Sequence, residues 1–479
     1  LTTTEGDDLA KEIWSGFGLG TQMEELYIRR NDVTENDERP WVVVERRNGR
    51  DVYNYYANTD WYHYYFRDIK PTTSHSISLS GGSKKFKYLL SGSYNREEGV
   101  FHQEKDIYTK FTLRAKMSLQ ATKWLNISNN INYFKSSYAY PGFSGVNNAF
   151  SNATVHALAS YPVANPDGTA VYSTQYNSYT LMNGMPMALN GSGFHNQDSI
   201  DYLSNTAEIT IKPIKQLEIK ANYTYTFNFT EKLNRSVNGT YSLYPGVIEK
   251  VTSGRFINRL AEGTSIHKYQ AVNAYATYTD TFAENHNFKA MVGFNFETKH
   301  LKDISAYGYN LLDDTMCDLD LLGVDENGEI RAEVGGGQNE YAIMGFFGRI
   351  NYDYKGKYLF EVSGRYDGTS RFASTHRWGF FPSASAGWRI SEEDFFAPAK
   401  SVMNNLKIRY SFGRLGNQQV GYYDYLRTMS LGTQNYLFGG PKSSSASISA
   451  PVASDLTWET IQQHNLGIDA GFFNNRLNF

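Results

Sequence analysis

Period-two alternation runs through this chain in segments too long to arise by chance. Phe111, Leu113, Ala115, Met117 and Leu119 stand opposite Thr112, Arg114, Lys116, Ser118 and Gln120, ten residues without a break. A longer run sets Leu217, Ile219, Ala221, Tyr223, Tyr225, Phe227 and Phe229 against Glu218, Lys220, Asn222, Thr224, Thr226, Asn228 and Thr230. Phe86, Tyr88, Leu90, Gly92 and Tyr94 repeat the pattern, as do Tyr358, Phe360, Val362, Gly364 and Tyr366, Ala384, Ala386, Trp388 and Ile390, and Leu406, Ile408, Tyr410 and Phe412. Further strands are predicted around 74–80, 124–135, 199–212, 267–280, 286–299, 340–354 and 458–471. The prediction is an all-β chain, a meander of roughly a dozen or more antiparallel strands, in the number and length of part of a large transmembrane barrel.

The connectors are of two kinds. DYKGK at 353–357 reads as a tight turn, whereas 136–198 and 300–338 read as long extracellular loops rich in Gly, Asn, Pro or acidic residues. Short turns on one side and long loops on the other are the asymmetry of an outer-membrane barrel. Residues 1–57 read as an irregular early barrel or loop region with a short helix around 7–14, and 58–479 as the barrel region. Aromatics near strand ends anchor at the headgroup boundary while Ala, Leu or Val between them faces lipid. The same alternation also fits a soluble β-rich carbohydrate-binding or structural protein, and a passive outer-membrane porin.

Composition narrows this picture. The 479 residues carry 37 Tyr, 29 Phe, 7 Trp and 41 Gly against only 12 Pro, a mixture that favours sheet and opposes a disordered linker. Lys plus Arg number 46 and Asp plus Glu 49, a net charge of −3, which argues against a nucleic-acid partner. One cysteine, Cys317, leaves no intrachain disulfide framework and no Cys-rich metal site. No run of 18 or more apolar residues is present for a membrane helix, a test to which a β-barrel is indifferent.

Candidate chemistry is sparse. DLDLLGVDENGEI at 318–330 invites a structural calcium held by Asp318, Asp320 and Asp325. Strict alignment to a calcium loop, however, puts Gly323 at the first coordinating position and Val334 at the last, so a solvated acidic loop is the plainer reading. His156, His195 and His286 form no local ligand set, and GGSKK at 81–85 lacks the remainder of a phosphate loop. Carboxylates are plentiful, yet spacing alone establishes no glycosidase pair. The expectation is no enzyme and no resident cofactor.

Six ordered blocks do more than alternate: NTDWYHYYFR at 58–67, SISLSGGSKKFKYLLSGSYNREEGV at 76–100, RYDGTSRF at 365–372, FFPSASAGWRISEEDFF at 380–396, LKIRYSFGRLGNQ at 406–418 and WETIQQHNLGIDAGFFNNRL at 458–477. Together they resemble the SusC/RagA-like TonB-linked outer-membrane transporters of Bacteroidota, from residue 58 to the last. The resemblance implies a 22-stranded barrel filled by a plug, a SusD-like surface lipoprotein as lid, and oligosaccharide or peptide cargo. It also implies coupling to TonB–ExbB–ExbD through N-terminal parts of a longer parent. The sequence is then expected to be a central-to-late barrel portion in outer-membrane lipid, its plug and last strands lying outside it. Within YNYYANTDWYHYYF at 53–66, Trp61, Tyr62, Tyr64 and Tyr65 offer stacking platforms for sugars or peptide side chains. Tyr138, Tyr140 and Phe143 form a second candidate surface, although aromatic belts and rim packing account for the same composition.

Overall fold

The computed structural model describes residues 41–103, 106–141, 146–172, 180–190, 193–433, 440, 442–453, 455–474 and 476–479. The expected helix at 7–14 lies outside them. A hairpin of β1 (Val42–Arg47) and β2 (Arg50–Tyr55) comes first. Then follow β3 (Thr72–Gly82), β4 (Phe86–Glu98), β5 (Ile107–Gln120), β6 (Leu125–Tyr140), β7 (His195–Ile214) and β8 (Leu217–Ser236). A second hairpin, β9 (Gly239–Tyr244) and β10 (Val247–Val251), precedes β11 (Arg259–Phe282), β12 (His286–Tyr309), β13 (Ala332–Tyr354), β14 (Tyr358–Thr369), β15 (Trp378–Arg389) and β16 (Met403–Asn417). The third hairpin, β17 (Met429–Thr433) and β18 (Ser444–Ile448), leads to β19 (Glu459–Phe472) and β20 (Leu477–Asn478).

The strands outside the hairpins form one antiparallel sheet of 14, ordered β20-β19-β16-β15-β14-β13-β12-β11-β8-β7-β6-β5-β4-β3. Each neighbours its predecessor in sequence once the hairpins are set aside, the wall of a barrel-type meander. Register carries the alternation across it, because residues directly opposite one another share a face. Ile77 lies opposite Gly92, Gly92 opposite Leu113, Leu113 opposite Tyr133, Tyr133 opposite Leu203 and Leu203 opposite Phe227. A slip of one residue anywhere would turn a whole strand's apolar set to the other side.

The apolar face is turned outward. Ile77 is 77% exposed, Val292 65% and Ile468 63%, an apolar surface that water would penalise and acyl chains accept. The opposite face is laced with polar side chains. Asn295 donates to Asn273 at 3.4 Å and Asn273 to Asn222 at 3.0 Å, and the hydroxyls of Ser363 and Ser383 meet at 2.6 Å.

The turn predicted at 353–357 closes as expected. Lys357 N–H donates to Tyr354 O at 2.9 Å, with Lys355 and Gly356 at φ 54° and 68°, where glycine carries the left-handed conformation without strain. The connections 83–85, 121–124, 215–216 and 283–285 share that rim, and 141–194, 237–258, 310–331 and 418–458 occupy the other. Two loop boundaries differ from the sequence reading. The expected loop 136–198 loses its ends to β6, which reaches Tyr140, and β7, which starts at His195, and it contains the helix Val146–Val155. The expected loop 300–338 shrinks to 310–331, since β12 runs to Tyr309 and β13 begins at Ala332.

The reason is physical. A tilted strand needs only about 9–11 residues to cross the hydrocarbon layer. β11 and β12 have 24 each and continue beyond it. There the outward positions no longer need to be apolar, and Lys268, His300 and Lys302 occupy them while the backbone ladder persists. Alternation ends before the strand does.

Candidate functional site

The long-loop rim holds a hydrophobic core of its own. Asp60 starts the short helix Trp61–Tyr65 by accepting the His63 N–H on Oδ1 at 3.1 Å, and the chain leaves it extended at Phe66. Trp61 and Tyr65 stack with centroids 5.8 Å apart and planes 11° apart, and Trp61 Nε1 donates to Leu158 O at 3.0 Å. Met182, Met185, Leu189, Phe194 and Phe256 belong to the same cluster. Residues from before β3, from 141–194 and from 237–258 are thereby gathered into one platform over the sheet.

The hairpin β1–β2 is tied to this platform by two phenols. Tyr53 Oη donates to Asp167 Oδ2 at 2.8 Å, and Tyr55 Oη to Asn165 Oδ1 at 2.9 Å. Burial, reinforced by the Asp167 carboxylate, pushes the Tyr53 phenol up to about 12. Burial works against the Asp167 charge as well, but bonds from the Thr169 hydroxyl and N–H and from Tyr53 hold its carboxyl below the usual range.

These contacts sort the sequence candidates. Trp61 and Tyr65 are buried in the platform, at 3% and 0% exposure, and present no ring face to a ligand. Tyr62 is 42% exposed and leans on Phe66 and Phe150. Tyr64 is half-buried, its hydroxyl 3.4 Å from Asn190 Oδ1. Tyr138 and Tyr140 stack at 4.9 Å on the polar face at the end of β6, with Tyr138 Oη donating to Asp106 at 3.0 Å and Tyr140 Oη close to Asp198 and Asn234. Phe143 lies outside the described residues. His286 Nδ1 bonds the Tyr352 hydroxyl at 2.7 Å, far along the sheet from His195 at the start of β7.

Asp325 spends Oδ1 on its own turn, accepting the N–H groups of Asn327 and Glu329 at 2.8 and 3.0 Å. Those two main-chain bonds, the Glu329 one foremost, hold its carboxyl below the usual range. Among the described residues no group of three or more His, Cys, Asp or Glu side chains stands close enough to hold a metal ion.

Other residues at this rim escaped the sequence reading. Tyr269 Oη donates to Glu297 Oε2 at 2.7 Å across β11 and β12, and the Arg371 guanidinium lies 4.5 Å from the Tyr341 ring centre and 4.8 Å from that of Tyr422. Tyr269, Glu297 and Tyr341 occupy polar-face positions. Their available signal was an aromatic in the polar phase of an alternating strand. Toward the short-turn rim the same face has a cavity of about 490 Å³ lined by Lys289, Asn351, Glu361, Lys407 and Arg409.

The chemistry of this arrangement is recognition. Phenols, guanidinia, carboxylates and amides offer stacking and exchangeable hydrogen bonds along a continuous polar face.

A family profile described as TonB dependent receptor-like, beta-barrel matches residues 159–479. TonB-dependent receptor P26 of Formosa agariphila is 26% identical over 432 residues, covering 88% of this chain and 40% of its own length. TonB-dependent receptor SusC of Bacteroides thetaiotaomicron is 27% identical over 454 residues, covering 88% of this chain and 41% of its own length. The chain thus spans about two fifths of the curated relatives it matches. Among solved structures, the RagAB peptide importer in its open-open state superposes with a TM-score of 0.71 at 22% identity, over 95% of this chain and 47% of that one.

Proposed function

The chain belongs to the TonB dependent receptor-like β-barrel family, and from that premise we propose that the longer protein it forms part of is an energised outer-membrane importer of oligosaccharides or peptides. The observation that carries the reading is the division of labour across one sheet: an exposed apolar face, a polar opposite face, and a loop platform on a single rim. In this reading the long-loop rim faces outside the cell, its loops capture cargo, and a SusD-like surface lipoprotein encloses it. TonB–ExbB–ExbD then acts through N-terminal parts of the parent to open a passage along the polar face. No covalent bond changes; binding selects the cargo and transmitted force releases it.

One neighbour's name bears on the cargo class. SusC shares the family with this chain, and the structure it superposes on is called a peptide importer. Tyr62, Tyr64, Tyr138 and Tyr140 are the sequence candidates left with surface to touch cargo.

Uptake into cells or vesicles holding the intact protein tests this directly. The reading expects uptake that needs both TonB and the protein's own plug. Equal uptake without either would convert the proposal into a passive porin.

A further inference from the structure

The short-turn rim carries an unbalanced charge on one arc. Its first three connections, 83–85, 121–124 and 215–216, contain Lys84, Lys85, Lys123 and Lys215 and neither Asp nor Glu, +4 in a chain of net −3. All four lysines are exposed, and among the described residues none of their ammonium groups makes an ion pair. Glu218, at the start of β8, is already shared by Lys212 at 2.8 Å and Lys220 at 3.2 Å. Farther round the same rim the pattern reverses. The connection 390–402 holds Glu392, Glu393 and Asp394, and there the lysines are paired, Lys357 with Glu393 at 3.0 Å and Lys400 with Glu392 at 3.4 Å.

The three basic connections are stitched into one surface. Gln120 N–H donates to Lys85 O at 2.7 Å, joining the first to the second, and Lys212 N–H donates to Trp124 O at 2.7 Å, joining the second to the third. Within them Ser83 Oγ accepts from the N–H groups of Lys85 and Phe86, and Thr122 Oγ1 from those of Trp124 and Leu125. With strands about 4.8 Å apart and two to each connection, the lysines spread over roughly 20 Å of rim. Like charges held so repel one another, and an exposed turn accepts Asn, Ser or Asp as readily as Lys. An anion from outside these connections offsets that repulsion.

Depth identifies the anion. Phe86, Leu119, Ile127 and Ile209 lie opposite one another in successive strands on the outward face, an exposed apolar row bordering the lysines. Trp124 and Ile214, at the connections themselves, are exposed as well. A bilayer has about 5–7 Å of headgroup beyond its hydrocarbon on each side, and Lys85 adjoins Phe86 with no residue between. Apolar row and unpaired cations thus repeat the layering of acyl chain and phosphate. An acidic protein would use the cations alone, whereas a lipid uses both.

We propose that the connections 83–85, 121–124 and 215–216 form a docking surface for the headgroup phosphates of anionic phospholipid in the leaflet at the short-turn rim. GGSKK at 81–85, which is no phosphate loop, supplies two of the four cations. The inference depends on the outward apolar face and not on the cargo.

The test reconstitutes the intact transporter in vesicles of equal phosphatidylethanolamine and phosphatidylglycerol, releases it in mild detergent and counts retained lipids by native mass spectrometry. Wild type is expected to retain phosphatidylglycerol over phosphatidylethanolamine by about fivefold or more. The preference should fall to near equality in the combined Lys84→Gln, Lys85→Gln, Lys123→Gln, Lys215→Gln variant. It should survive when the same four become arginine, and fade in added salt. An unchanged preference in the glutamine variant overturns the proposal, as does the lack of one in wild type. Phosphatidylglycerol with a photoreactive headgroup reads the position on the native protein, and decides alone should the glutamine variant fail to fold. Label is expected on peptides containing 83–85, 121–124 and 215–216, and label confined to other peptides overturns the proposal. A carbodiimide that joins these lysines to carboxylates of the parent's plug or of another protein, with no lipid label there, assigns the surface to an acidic protein and equally overturns it.

Discussion

Arg235 Nε donates to the main-chain oxygen of Met316 at 2.8 Å, joining the top of β8 to a residue 81 positions away. Arg235 is 1% exposed, and its guanidinium also reaches Asp313 O at 3.1 Å, Asn258 Oδ1 at 2.8 Å, and the carbonyls of Ser236 and Arg259. A buried cation is thus satisfied by oxygens of main chain and amide; burial works against its charge and lowers its pKa, an effect that Asp314 and Asp313 only partly offset. It fixes the base of the acidic connection 310–331.

Arg235→Met keeps much of the volume and removes every side-chain donor, including those to Met316 O and Asn258 Oδ1. The expected cost is roughly 2–4 kcal/mol, concentrated on the loop. Limited proteolysis should show new cleavage within 310–331 while the heat-resistant barrel band on a gel persists. Unchanged cleavage would show that the loop is held by other contacts.

Trp61 and Tyr62 are adjacent in sequence and opposite in role. Trp61→Ala opens a cavity in the rim platform and should lower stability by about 3–5 kcal/mol, whereas Tyr62→Ala should cost less than about 1 kcal/mol. Thermal unfolding of the two variants measures the contrast. A similar loss at both would place Tyr62 in the core and remove it from the cargo candidates.

Val292 sits at the middle of the outward set Phe288, Ala290, Val292, Phe294 and Phe296 of β12. Val292→Arg should destabilise by about 2–4 kcal/mol if that position meets the bilayer midplane, and Asn295→Arg on the polar face much less. Refolding titrations in lipid vesicles resolve the difference. Equal costs would contradict the assignment of faces.

Glu393, in the connection between β15 and β16, accepts from the Tyr358 hydroxyl, from Trp388 Nε1 at 3.0 Å and from Lys357 Nζ at 3.0 Å, and is held down to about 2. A depressed carboxyl stabilises the fold above its ordinary value near 4.5, and that contribution fades as pH falls toward about 2. Wild type should therefore be more heat-resistant than Glu393→Gln at pH 7, with the gap narrowing as pH falls below about 4.5 and lost only as it passes through about 2. A gap constant across that range would mean the bonds contribute nothing specific to the ionised form.

How much of this was legible in the sequence depends on what lipid demands. Ile77, Leu113, Phe227 and Val362 had to recur at every second position because one strand face meets hydrocarbon, so the strands of the wall and their phase could be read directly. The turn at 353–357 was equally local, set by Lys355 and Gly356. The hairpins β1–β2, β9–β10 and β17–β18 lie outside the wall, where no face is obliged to be apolar, and their sequences carried no comparable signal. Trp61 and Tyr65 illustrate the limit: their composition suits a ligand platform and a core equally, and their burial within the rim cluster distinguishes the two.

By itself, then, the sequence determined an all-β wall with two chemically distinct faces and two unequal rims, because alternation is a local consequence of strand geometry in a layered solvent. Only the tertiary structure decided where the strands end, which aromatics are buried, and that β13 overtops β14. Those outcomes depend on pairing between residues far apart in the chain, such as Ile343 with Thr369 and Arg235 with Met316, and no periodicity within one segment records which distant segment will stop first.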